Sequence, residues 1–393
     1  MLKVNFLEKT TLSLSFLILS NYFLIIFDVP QIIIKLNLIF FLTILTIYYF
    51  KNFSENLYLK FFLLLIIIIS FGTPAYEWDA RSIWLFHAKR IFYDNSIFSF
   101  ADNYAVFSHN DYPNLVPALS SSLAVLVGHW NEVFPKLAFT LMYFPPLILT
   151  YAFLKDTKYI IFLSLVFFFI GKHLFNGWAD GLIAVYFCLS SLLMYLLVIE
   201  NNKYNKNLLY YFITFTFFTI LTLIKNEGFA LLAILFVITI LMQLYNNEIK
   251  KSIYKIVLLS FSFIPVIFWK FFCYSNGIEN DYINSNFLLN LLPRVQDFNN
   301  FKLIVYFLLL NEKFLISLIF FTFAFWYKKN SKLLIYIFFI ILIYIIVIFL
   351  VFLSTPVDFY FQLNSAAARI VKTLSFTLAF FGLYNLSVNR INY

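Results

Sequence analysis

Long apolar segments alternate with short polar connections along most of the chain. A hydrocarbon core about 30 Å thick is crossed by roughly 20 residues of helix, and backbone groups inside it must be paired within the helix. The pattern therefore predicts an all-α, polytopic membrane protein with about 12 to 13 membrane helices. The apolar segments cover residues 10–27, 35–50, 59–72, 114–130, 135–154, 159–171, 179–199, 208–224, 229–245, 256–272, 312–327, 333–353 and 370–386.

Charge alternates between the connections. One set is rich in lysine and, by the positive-inside rule, is predicted to face the cytoplasm. The other set carries acidic residues and is predicted to face outside. The lysine-rich set contains Lys51, Lys60, Lys155, Lys158, Lys203, Lys206, Lys250, Lys251, Lys255, Lys328, Lys329 and Lys332. The acidic set contains Glu77, Asp79, Asp94, Asp102, Asp111, Asp180, Glu227, Glu279, Asp281, Asp297 and Asp358.

One interval breaks this alternation. Residues 114–130 and 135–154 are two apolar segments between an outside loop and a lysine-rich connection. A chain that passes from the outside to the cytoplasm must cross the membrane an odd number of times, so these two segments cannot both be simple spans. Proline interrupts both segments, at Pro117 in the first and at Pro145 in the second. We therefore predict that one of them is re-entrant or lies at the membrane surface, and the sequence leaves open which one.

Composition excludes several classes of protein. With 63% apolar and 12% charged residues, the chain lacks the polar surface of a soluble domain. The net charge of +9 comes from lysines scattered between spans, so we exclude nucleic acid as a partner. Cys188 and Cys273 have too few partners for a disulfide framework or a cysteine metal site. Lys3 and Lys9 precede an apolar segment without a small-residue cleavage site, which predicts an uncleaved first helix.

The longest hydrophilic stretch, residues 73–113, follows the third apolar segment directly. Glu77 and Asp79 stand at its start, where a carboxylate at the membrane edge is partly desolvated and can act as a general base. We predict that both are catalytic, with Asp79 as the first choice. The alternative is that Asp79 only caps the helix predicted over residues 80–94.

That predicted helix is amphipathic and suits the membrane interface. An apolar arc includes Trp84, Ala88 and Ile91, and a polar arc includes His87 and Lys89. Arg81 and Lys89 are candidates for binding the phosphate of a lipid substrate. The alternative is that they contact membrane lipid phosphates without selectivity.

Further candidate residues lie in the same loop and in other outside segments. His109 and Asp111 could bind a divalent cation together with Asp79, or HNDYP could form a turn without metal. In the other segments, the candidate substrate-binding residues are Asp180 in NGWADG, Lys225 and Glu227 in KNEG, and Arg369. Helix capping for Asp180 and snorkelling for Arg369 are the alternatives. The shared outside placement predicts that these residues meet at one pocket.

The Glu77-Trp78-Asp79 sequence and the SIWLFHAKRIF helix behind it resemble the GT-C superfamily of polyprenyl-phosphate-sugar-dependent glycosyltransferases. This group includes protein O-mannosyltransferases and lipid A aminoarabinose transferases. The resemblance implies that an acid in the first large external loop, matched here by Asp79, acts as the base in an inverting transfer to an acceptor hydroxyl. One departure is that two spans, instead of one, precede the span that leads into this loop.

The resemblance further implies the partners and the location. The donor is a polyprenyl-phosphate sugar, and the acceptor is a glycan, a lipid or a protein. The expected location is a bacterial-type cytoplasmic membrane, with the site on the external face. Alternatives are a flippase or transporter of lipid-linked glycans, a polymerase of such glycans, and a non-catalytic membrane scaffold.

Overall fold

The computed structural model describes residues 6–51, 56–102, 104–154, 157–200, 207–280 and 287–387. Lys3, Lys155, Lys203, Lys206 and Asp281 lie outside these ranges. Within them the protein is all-α, without strands. The helices are α1 Phe6–Ile26, α2 Gln31–Phe50, α3 Leu57–Gly72, α4 Leu85–Asp94, α5 Leu115–Val127, α6 Val133–Met142, α7 Phe144–Phe153, α8 Thr157–Phe169, α9 Asp180–Met194, α10 Leu208–Ile224, α11 Asn226–Tyr245, α12 Ile249–Ser260, α13 Ile264–Ser275, α14 Phe287–Gln296, α15 Phe298–Leu309, α16 Glu312–Tyr327, α17 Ser331–Ser354 and α18 Phe359–Ser387.

Every apolar segment predicted from the sequence coincides with a helix. In the described ranges, eight helical stretches are long and apolar enough to cross a membrane, with α6–α7 and α12–α13 each counted as one, and the number is nine if the bent pair α15 and α16 is counted as one span. Shorter apolar helices make up the rest of the predicted set. The helix predicted over residues 80–94 is also confirmed, as a π-helical turn Ala80–Trp84 continued by α4. The protein is a polytopic membrane protein.

Polar side chains fix where several helices begin. The side chains of Asn207, Asp297, Asn311 and Asn330 each accept a hydrogen bond from a backbone N–H in the first turn of α10, α15, α16 and α17. An N-cap of this kind satisfies one of the donors that a helix start leaves unpaired.

Consecutive membrane helices run back and forth between two ends of the bundle. We call the end that holds Asp79, Asp111, Asp180 and Glu227 the acid end. The opposite end, which holds the described lysines of the lysine-rich connections, is the lysine end. This separation agrees with the alternation of charge along the sequence. The placement of the lysine end in the cytoplasm stays a prediction.

Helix α5 explains the interval that broke the alternation. Asn114, just before α5, lies beside His87 of α4, and Trp130, just after it, packs on Phe92 of the same helix. Both ends of α5 therefore lie against α4 at the acid end. Nearly all of α5 is buried, as expected for a non-spanning apolar helix enclosed by protein. We therefore assign residues 114–130 as the segment that does not cross.

Two helices place the candidate site. Helix α9 with its π-helical continuation is buried along its whole length, from Asp180 to Ile199. Helix α18 packs against α9 and α16, and it begins at Phe359, well before the predicted start at residue 370. Arg369 therefore lies about 15 Å along α18, at 1.5 Å per residue, and not just before the first residue of the helix. Its place at the outer mouth of the last span stays a prediction.

Candidate functional site

Five charged side chains from four parts of the chain form a continuous series of ion pairs at the acid end, here called the ion-pair chain. Arg369 binds both oxygens of Asp79, at 2.8 and 3.1 Å, and its Nε lies 3.1 Å from Asp180. Lys225 Nζ lies 3.1 Å from Asp180 and 3.2 Å from Glu227. The predicted convergence of these residues is therefore observed.

Burial differs along the ion-pair chain. The side chains of Asp180 and Lys225 are 7% and 5% exposed, whereas that of Glu227 is 35% exposed. Charges taken out of water need close partners, and Asp180 at the centre serves both cations. Its position accounts for the high pKa of Lys225, because the fields of Asp180 and Glu227 outweigh the effect of burial.

The NGWADG segment holds Asp180 in place through its two glycines. Gly177 has a φ of +89°, and a Cβ there would approach the Cβ of Ala80 to 2.8 Å. This close contact sets the segment against the residue that follows Asp79. Gly181 packs against Tyr143 and Ile170 with no room for a side chain.

Helix capping explains neither Asp79 nor Asp180. Asp79 precedes the π-helical turn but its side chain accepts no cap hydrogen bond, and Asp180 lies inside the first turn of α9. Both carboxylates are directed to Arg369 instead. The capping alternative is therefore wrong for both residues.

A cavity of about 160 Å³ opens beside the ion-pair chain. Asp180, Lys225, Glu227 and Arg369 are among its lining residues. Most of the other lining residues are apolar and come from α17 and α18. They include Tyr344, Val347, Ile348, Val351, Phe352, Ala366 and Ile370. The cavity thus combines a charged and an apolar lining, which suits an amphiphile.

Next to the ion-pair chain, Trp178 is surrounded by positive charge. Lys172 Nζ, Lys372 Nζ and the Arg369 guanidinium carbon lie 4.6, 5.3 and 5.6 Å from its ring centroid. Lys372 Nζ also contacts Nε2 of His173. Burial, with the nearby charges of Lys372 and Arg369, lowers the pKa of His173 to about 3, so this ring is neutral and its Nε2 can accept a hydrogen bond from Lys372.

Lys372 contacts a neutral ring, whereas the other cations of the site contact acids. Lys172 Nζ pairs with Glu77 at 2.7 Å, and Arg369 and Lys225 belong to the ion-pair chain. An ammonium group held near a tryptophan face and a neutral imidazole is a suitable partner for an incoming anion.

Asp111 connects separate parts of the chain through hydrogen bonds and does not act as a cation ligand here. One carboxylate oxygen accepts hydrogen bonds from Asn226 at 2.6 Å and Asn280 at 2.7 Å, and pairs with Lys270 at 3.2 Å. Its carbonyl oxygen accepts from Trp269 at 3.0 Å. These contacts join the long loop to α11 and α13.

The predicted cation site of His109, Asp111 and Asp79 does not form. His109 stacks on Tyr112, with ring centroids 4.7 Å apart, and Asp79 is occupied by Arg369. In the part of the chain that the structure describes, no three His, Cys, Asp or Glu side chains come together in a way that could hold a metal ion. The acids of this end are paired with cationic side chains instead.

The remaining predicted residues lie outside the ion-pair chain. Glu77 pairs with Lys172, which lies over the same Trp178 ring as Arg369 but pairs with no member of the ion-pair chain among the described residues. Arg81 and Lys89 are exposed and take no part in it. His87, placed on the polar arc of its helix, is fully buried beside Asn114 and Asn110. That assignment was wrong because α4 packs on α5 and is enclosed on more than its apolar side.

Sequence reasoning missed Lys372, Trp178, Lys270 and Asn280. Lys372 follows Arg369 by three residues, and that spacing puts both on one face of a helix. The predicted start of the last span at residue 370 concealed this relation. Lys270 lies inside an apolar stretch, where a lysine commonly has a buried partner.

Comparisons of the chain with models of protein families, with curated proteins and with solved structures gave no match. The resemblance to the GT-C superfamily therefore stays a prediction from the sequence.

Proposed function

We propose that the protein is a membrane glycosyltransferase that moves a sugar from a polyprenyl-phosphate donor to an acceptor hydroxyl. The observation that carries the proposal is the cavity that Asp180, Lys225, Glu227 and Arg369 of the ion-pair chain line together with apolar residues of α17 and α18. A lipid phosphate combines the same two properties, because its phosphate headgroup binds cations and its hydrocarbon tail packs on apolar surface. The proposed setting is the external face of a bacterial-type cytoplasmic membrane.

Lys372 and Arg369 are the proposed phosphate-binding residues. Lys372 contacts a neutral histidine, and Arg369 lies between two carboxylates and the Trp178 ring. Negative charge develops on the phosphate as the sugar leaves, so fixed cations there lower the barrier. Arg81 and Lys89, which are exposed and outside the ion-pair chain, keep only the role of contacting membrane phosphates.

Asp79 is the proposed base, and phosphate binding frees it. Before the donor enters, the Arg369 guanidinium occupies both oxygens of Asp79. A phosphate that recruits Arg369 leaves this carboxylate to accept the proton of the acceptor hydroxyl. The acceptor oxygen then bonds to the anomeric carbon, the bond from that carbon to the phosphate oxygen breaks, and the phosphate leaves with the electron pair.

Replacement of Asp79 by Asn tests the proposal. We expect D79N to lower turnover by about 10²- to 10⁴-fold, the usual contribution of a general base. The measurement is transfer of radiolabelled sugar from a polyprenyl-phosphate sugar to extracted cell-envelope acceptors. Asp94→Asn is the matched control, because Asp94 belongs to the same loop, is exposed and lies outside the ion-pair chain.

The same variant separates a transferase from a flippase. A flippase of lipid-linked glycans would use the cavity without a base, so D79N would still move the lipid across a vesicle membrane. Turnover equal to that of the native protein, with donor still bound, would exclude Asp79 as the base. Glu227→Gln would then be examined, because Glu227 is the most exposed acid lining the cavity.

A further inference from the structure

A second cavity, of about 460 Å³, lies at the lysine end between α11 and α17. Its apolar walls include Leu241 and Met242 of α11, and Phe339 and Ile343 of α17. Asn246 and Lys332 stand at its polar rim. The volume is within the range of sites that enclose a ligand of moderate size, roughly 300 to 1,000 Å³.

This cavity is separate from the proposed active site. Helix α11 begins beside Glu227 in the ion-pair chain and ends at Tyr245, which also lines the second cavity. Eighteen residues of helix correspond to about 27 Å, nearly the thickness of the hydrocarbon core. A headgroup bound at the ion-pair chain is therefore a membrane thickness away from Lys332.

The shape and the charge of the cavity both favour a lipid. Leu241 and Phe339 are 55% and 44% exposed, so the cavity opens sideways, toward the surface that faces bilayer chains. Among the described residues that line it, Lys332 is the charged one.

We propose that this cavity binds an anionic phospholipid, with an acyl chain between α11 and α17 and the phosphate on Lys332. Basic pockets between membrane helices at the cytoplasmic level are suited to anionic headgroups. Asn246 adds an amide donor at the same rim. The proposal does not rest on the proposed transferase activity.

Native mass spectrometry of the purified full chain with phosphatidylglycerol or phosphatidylcholine tests the site. We expect the native protein to retain phosphatidylglycerol in preference to phosphatidylcholine. Lys332→Gln should weaken retention of phosphatidylglycerol about fivefold, which corresponds to about 1 kcal/mol for one lysine near the surface. Lys329→Gln is the matched control and should leave retention unchanged, because Lys329 does not line the cavity.

A second variant tests the apolar part without a change of charge. Ile343→Trp fills the cavity and should displace the bound lipid while Lys332 remains. Equal retention of the two phospholipids by the native protein would overturn the proposal. So would an equal loss in K332Q and K329Q, which would indicate general attraction to a basic surface. Retention unchanged in both K332Q and I343W would likewise overturn it.

Discussion

At the acid end, Lys225 and Arg369 are paired with carboxylates from distant segments, whereas at the lysine end Lys255 and Lys158 bond to backbone carbonyls. Lys225 and Arg369 share Asp180. By contrast, Lys255 Nζ donates to Leu197 O at 3.0 Å, and Lys158 Nζ donates to Ser387 O at 2.9 Å. Both of these carbonyls belong to the last turns of helices that run from the acid end.

This difference separates two uses of charge in one membrane protein. The last carbonyls of a helix carry partial negative charge, and a lysine beside them completes the helix end. Such a contact stabilises the fold and orients the chain. A series of opposite charges inside a bundle costs desolvation and is weak support for stability, so a function for the acid end is the better explanation.

The largest expected effect is at the centre of the ion-pair chain. Asp180→Asn leaves Lys225 and Arg369 without their shared partner, and loss of one member of a buried ion pair costs about 3 to 5 kcal/mol. We expect the free energy of unfolding in detergent micelles to fall by this amount. Glu227→Gln, at the exposed end of the ion-pair chain, should cost less than about 1 kcal/mol. Equal costs for the two variants would contradict the assignment of Asp180 as the centre.

The convergence of Asp79, Asp180, Glu227 and Arg369 could be predicted because two simple rules act together. Apolar length fixes where the chain crosses, and the lysines fix which connections share an end. Residues far apart in sequence are then assigned to one end without any knowledge of packing. The pairing partners could not be predicted in this way, since side-chain contacts depend on how the helices are rotated.

Helix α5 and His87 show where sequence reasoning fails, and for one reason. Hydropathy reports whether a segment leaves water, but it does not distinguish lipid from the interior of the protein. Residues 114–130 are apolar because they are enclosed by α1, α2, α4 and α6. His87 is buried for the same reason, on a face of α4 that a helical wheel assigns to water.

The histidines provide a second test of the difference between the acid end and the lysine end. All four lie at or near the acid end, and burial lowers the pKa of His87 to about 3. The folded state then binds fewer protons than the unfolded state, whose histidine has a pKa of about 6.5, so stability rises with pH up to that value. Between pH 7 and pH 5 we expect His87 to remove about 2 kcal/mol of stability.

The variant His87→Gln should remove the contribution of His87 to this dependence and leave that of His173. The measurement is the free energy of unfolding at several pH values between 5 and 7, and the slope matters more than the absolute stability. His129→Gln is the control, because His129 is exposed and its loss should leave the slope unchanged. A slope that is the same in H87Q and in the native protein would mean that His87 is not buried in its neutral form.

The smallest expected effect is at the lysine end. Lys158→Met keeps the apolar stem of the side chain but removes the donor to the last turn of α18, and we expect a loss of about 0.5 to 1 kcal/mol. Lys158→Arg retains a cation and should lose less. Both are measured by the same unfolding assay as the Asp180 variant. If K158M lowered the free energy of unfolding as much as D180N, the charge contacts at the two ends would stabilise the protein equally. The contrast that favours a function for the ion-pair chain would then be absent.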